Sequence, residues 1–143
     1  MDGYFSRYLT VSDGRIFASA LLGMVGIPIE CLSYFGIYRL MADSSPKHAH
    51  AYRTGLFGIL IFGALTHVMC CAALFYYRQM YAIDPAMAAA DTVRFALWFL
   101  LPATVIFSIF FFITPLVQIS AFTKGKAPYP KHCGVFSMLF EVM

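Results

Sequence analysis

Charge is scarce in this sequence. Lys, Arg, Asp and Glu supply 12% of its 143 residues, about half the share usual for a soluble domain. A water-soluble chain of this size needs far more polar surface to cover one core, so a soluble globular domain is excluded. The basic residues are also dispersed. They fall singly between apolar runs and form no stripe that could track phosphates, which excludes nucleic acid as a partner. Cysteine is equally uninformative as a framework: Cys31, Cys70 and Cys71 lie inside apolar runs and only Cys133 lies elsewhere, so they read as buried thiols, not as a disulfide scaffold. The chain has no P-loop, dinucleotide fingerprint, G-x-S-x-G or H-E-x-x-H, no internal repeat and no low-complexity tract. An enzyme is therefore not the expectation, and neither a cofactor nor a metal is expected.

What the sequence has is apolar length. Hydrophobic residues make up 61% of it, and the mean hydropathy is +0.75. Roughly 20 apolar residues suffice to cross a bilayer as helix. Three runs meet that length: 16–38 between Arg15 and Arg39, 54–77 between Arg53 and Arg78, and 95–122 between Arg94 and Lys124. The first is too long for the core of a signal peptide, and no A-x-A-like site follows it before Arg39. The third is 28 residues long. It must tilt, bend or extend into the interface, with Pro102 and Pro115 as places to bend and Trp98 near one end as an interfacial anchor. The fold expected is all-α, a transmembrane bundle of three spans forming one integral membrane domain over residues 1–143, placed in the cell membrane as a multi-pass protein.

The connections are short. The 41–52 stretch, with Asp43, Ser44, Ser45, Pro46 and Lys47, predicts a polar turn between the first two spans, carrying an isolated His48-x-His50 loop feature. Asp84-Pro85 and the alanines after it predict a capped helix with proline at its first position, lying at the surface or extending the third span. Lys124 to Lys131 is a basic Pro and Gly loop that stops the third helix. The apolar stretch from Cys133 to Phe140 is too short to cross; it lies in the interface or begins a fourth span. Six basic residues flank the carboxyl-terminal side of the bundle against four on the other, so the amino terminus is expected outside.

Glu30 is the most informative residue. An ionised carboxylate inside a span costs several kcal/mol, of order 3 at the helix centre, unless it is protonated, paired or facing water, so it should face inward. Pro28 cannot donate to the Met24 carbonyl and weakens the helix beside it. On the second span His67 is followed by Cys70 and Cys71 at i+3 and i+4, one edge with an imidazole and a thiol. Glu30, His67 and Cys70 are the candidate ligand- or proton-binding residues. Counted from the shared turn, however, Glu30 and His67 differ in depth by roughly 7 Å. That leaves a hydrogen-bonded pair and independent packing roles both open. Gly55, Gly58, Gly63, Thr66 and Cys70 share one broad face, and Gly23 and Gly26 offer close approach on the first span; these glycines are the expected helix-packing positions. Thr104, Ser108, Pro115 and Gln118 form the matching edge of the third span.

Several stretches also carry a resemblance. Gly23 to Pro28, Tyr34 to Tyr38, Gly58 to Gly63 with His67, and Thr123 to Lys131 with its Tyr129-Pro130 pair resemble an uncharacterised family of multi-span bacterial integral membrane proteins, a domain of unknown function. The resemblance implies a helical membrane fold, with no activity or catalytic residues to carry over. Such proteins are longer, so a shortened relative or a fragment is expected. Two functions fit these residues: a membrane protein binding a small molecule or proton in its polar interior, or a structural subunit of a membrane complex. Three spans enclose little by themselves, so either reading expects a homo-oligomer or a membrane-protein partner besides the lipid bilayer.

Overall fold

The computed structural model describes residues 6–126. A short 3-10 turn, Ser6–Thr10, leads into helix α1 (Asp13–Ala42), followed by α2 (Pro46–Ile83) and α3 (Ala88–Thr123). All three helices are long and apolar enough to cross a membrane. The expected all-α bundle with three such helices is what the chain forms. The stretch Cys133 to Phe140, with the rest of the basic loop from Ala127, lies outside the described residues.

The helices outrun the apolar segments that announce them. Ser12 caps α1 by accepting from the Arg15 amide at 3.4 Å. At its other end, α1 passes Arg39 and stops at Ala42. The expected 41–52 turn shrinks to Asp43–Ser45, because Pro46, with no amide hydrogen to lose, starts α2 at its first position. His48 and His50 therefore sit in the opening turns of a helix and not in a loop. His48 Nδ1 is bonded to Ser45 Oγ at 2.7 Å, and His50 Nδ1 accepts from Arg53 Nη2 at 3.2 Å.

The α2–α3 connection is built on Asp84. Its carboxylate accepts from the amides of Ala86 and Met87 at 3.0 and 3.3 Å, so Pro85 lies in the turn and regular helix begins only at Ala88. This helix extends the third span. Between Ala96 and Leu100 it widens into a π turn, with the Leu101 amide donating to the Ala96 carbonyl. Pro102 follows directly, and its ring removes the donor that would have reached the Trp98 carbonyl and crowds that turn, so the wider turn absorbs the misfit.

Helix α2 is the middle of the assembly. It packs against α1 on one side and α3 on the other, while α1 and α3 share no extended backbone approach. Burial follows from that order: 33% of the most apolar stretch of α2 is buried within the chain, against 11% for α1 and 6% for α3. The exposed flanks carry Leu22, Val25, Ile29 and Leu32 on α1 and Val105, Ile109, Phe112 and Leu116 on α3. Such faces suit hydrocarbon as solvent. The deepest packing lies where α1 ends, α2 begins and α3 ends, around Met41, Ala49, Tyr52, Leu56, Ala121 and Phe122.

At that end α3 stops in a Schellman turn. Gly125 has φ 63°, the Lys126 amide donates to the Ala121 carbonyl at 2.9 Å, and the Gly125 amide donates to the Phe122 carbonyl at 3.0 Å. A side chain is strained in this left-handed conformation, so Gly125→Ala is expected to destabilise the fold by about 1 kcal/mol. Thermal unfolding in detergent measures it; an unchanged midpoint would mean the turn is not held.

Candidate functional site

Two of the glycines on α2 exist because α3 comes close. A methyl at Gly55 would fall on the Thr114 hydroxyl, and one at Gly58 on the Phe110 ring. Gly63 serves both neighbours: an added methyl would sit 3.2 Å from Phe107 of α3 and 3.3 Å from Ile27 of α1. On α1, Gly23 lies under the His67 ring, whereas at Gly26 an added methyl meets nothing within 4 Å. Gly23 is thus a packing position within the chain, and Gly26 opens outward.

The glycine at position 23 sets what His67 can do. With the imidazole lying on the α1 backbone, His67 Nε2 comes 3.0 Å from the Ser19 carbonyl and 3.4 Å from Ser19 Oγ. A carbonyl oxygen only accepts, so Nε2 carries the hydrogen and, in the neutral ring, Nδ1 keeps the lone pair. His67 is bonded to Ser19 and not to Glu30. Gly23 lies seven residues from Glu30, so the two side chains differ in height by about 10 Å, more than counting from the turn suggests.

They nevertheless line one space. A cavity of about 320 Å³ is bounded by Ile27, Glu30, Cys31 and Tyr34 of α1, by Ile59, Gly63, Thr66, His67 and Cys70 of α2, and by Phe107 and Phe111 of α3. All three candidate residues of the sequence reading are among its walls. Its shape is an elongated groove, open on one side, and Glu30 and Cys70 are exposed within the chain. Inward-facing placement was the expectation for Glu30, and buried thiols for all three cysteines of the runs. Cys31 and Cys71 are buried while Cys70 is not, because α1 and α3 flank α2 without closing over it. Cys70 also borders a second, apolar cavity of about 540 Å³ between α2 and the π turn. Among the described residues no three His, Cys, Asp or Glu side chains are grouped to hold a metal ion.

Sequence reasoning placed Thr66 on a packing face and missed its part in the site. Thr54, Thr92, Thr104, Thr114 and Thr123 each return the hydroxyl to the carbonyl four residues back, at 2.7 to 3.0 Å. Thr66 differs. Its hydroxyl oxygen is buried on the groove wall without a hydrogen-bond partner among the described residues. Leaving a buried hydroxyl unsatisfied costs about 1–3 kcal/mol. The aromatic part of the wall, Tyr34, Phe107 and Phe111, was likewise unannounced; Tyr34 stands one helical turn from Glu30, which is the signal that could have found it.

No curated protein and no solved structure matches the chain. One family model does match, over residues 1–143, that of a family of unknown function. With the whole length covered, the chain belongs to this family of unknown function, DUF6796.

Proposed function

We infer that this is a multi-pass integral protein of the cell membrane whose three-helix groove binds a small molecule, with Glu30, Thr66 and His67 as its polar contacts and Tyr34, Phe107 and Phe111 as its apolar wall. The observation that carries the reading is the Thr66 hydroxyl, buried at the groove wall without a partner among the described residues while the other helical threonines bond their own backbone. A turn of the Thr66 side chain that brings its hydroxyl to a molecule in the groove removes the cost of burial. The volume, about 320 Å³, is at the small end of ligand sites, and a proton alone needs no such space. Glu30 beside aromatic rings suits a ligand with a cationic end. Cys70, exposed within the chain, is a wall residue.

Benzylamine is a suitable probe, with an ammonium for Glu30 and a ring for the aromatic wall. Titrated into the reconstituted chain, it is expected to perturb the Glu30 carboxyl band saturably in isotope-edited infrared difference spectra. Thr66→Val should weaken the response and Glu30→Gln abolish it. A Glu30 that titrates with pH, shifts in His67→Ala, and ignores the amine would assign the groove to proton binding instead. A carboxyl indifferent to both would leave the second reading, an assembly subunit. That reading draws on Gly26 and Gly36, where an added methyl meets nothing within 4 Å, so that a second copy or another membrane protein would pack against α1.

A further inference from the structure

The two ends of the bundle differ in charge. One end holds Arg7, Arg15, Arg78 and Arg94 with Asp13, Asp84 and Asp91, close to neutral, and Arg78 donates to Asp13 across α1 and α2. Among the described residues, the other end holds Arg39, Lys47, Arg53, Lys124 and Lys126 against Asp43.

At that second end the basic groups are drawn together by the fold. The Schellman turn reverses the chain after α3, and Ser44 Oγ donates to the Lys126 carbonyl at 2.7 Å, tying the α3 exit to the α1–α2 turn. In the first turn of α2, burial and then the nearby charges of Lys126 and Lys124 hold the His48 imidazole below its ordinary pKa, so it stays neutral beside them. Further along α2, Arg53 holds its guanidinium 5.6 Å from the centre of the Tyr38 ring. Lys124 and Lys126 are exposed. Basic groups placed near an anionic membrane surface are attracted to it.

We propose that this basic end, centred on Lys124 and Lys126 and flanked by Lys47, seats the phosphate headgroup of an anionic phospholipid in the leaflet it touches. Charge complementarity carries the assignment: among the described residues five basic side chains meet one acid at the level where the apolar surface ends, and the ties through Ser44 and the Schellman turn hold the backbone of the lysines in place before a lipid arrives. The proposal rests on insertion in a bilayer and is independent of the Glu30 groove.

The test reconstitutes the full chain into phosphatidylcholine vesicles with and without phosphatidylglycerol, checks insertion by flotation, and counts retained lipids by native mass spectrometry. Phosphatidylglycerol is expected to be retained on the order of tenfold over phosphatidylcholine, with the preference lost in the double variant Lys124→Gln, Lys126→Gln and kept in Arg15→Gln, Arg94→Gln at the other end. Equal retention of both lipids, or a preference that survives the lysine substitutions, overturns it. Displacement of the lipid by inorganic phosphate would make this a free-phosphate site and overturn the lipid assignment. A chain that floats with neither vesicle fails as a membrane protein, and the proposal falls with that reading.

Discussion

A Gly58→Leu chain is expected to lose the packing of α3 on α2. Even the first carbon of the new side chain would lie inside the Phe110 ring, and that ring has little freedom to yield because it stacks on Phe62 with centroids 6.2 Å apart. Overpacking of a close contact costs about 1–3 kcal/mol for small insertions, and leucine adds a full side chain where none fits. No hydrophobic force between helices in lipid offsets the loss, since close van der Waals contact is itself the attraction. The melting midpoint in detergent should drop in the order Gly58→Ala, then Gly58→Leu, with Gly26→Leu close to the parent. A Gly58→Leu chain that melted with the parent would mean that α3 does not pack where the structure places it.

Gly23→Ala should have the next largest effect, and a different one. The added methyl occupies the space of the His67 ring, so the imidazole has to swing away and give up its bond to the Ser19 carbonyl. The expected signature in nitrogen NMR of histidine-labelled chain is loss of the fixed Nε2–H form, with an energetic cost of about 1–3 kcal/mol. A double-mutant cycle isolates the clash: in a His67→Ala background, Gly23→Ala should cost little, because the ring it displaces is gone. Equal costs in both backgrounds would contradict the contact.

Hydropathy located the three helices because each carries an apolar run long enough to cross a bilayer, and it misjudged their ends for the same reason. The scale reports where hydrocarbon stops; backbone hydrogen bonding continues into water, which is why α2 reaches from Pro46 to Ile83 while its apolar run covers only 54–77. Pro46 reads equally as a turn residue and as a helix start, and the difference is settled by how short Asp43–Ser45 can be. The candidate site was legible by residue type: an acid, a histidine and a thiol within apolar runs stand out on cost alone. Their mutual height was not, since it depends on how α1 and α2 slide past each other, and the contact between Gly23 and His67 fixes that offset. Gly23 and Gly26 look alike in sequence, yet one lies under a ring and the other faces outward; helix rotation decides, and spacing within one helix does not contain it. Thr66 was invisible as a polar contact because its residue type says nothing about which way the hydroxyl turns.

The order of the helices has a mechanical consequence. With α1 and α3 each packed on α2 and not along each other, a change in the width of the groove would require α1 to tilt about the buried knot at Met41, Tyr52 and Phe122. Glu30 is eleven residues from Met41 and Ser19 is twenty-two, about 16 Å and 33 Å along the helix. A tilt therefore moves Ser19 twice as far as Glu30. The bond between Ser19 and His67 sits at the long end of this lever, where it registers a displacement too small to alter the lining around Glu30.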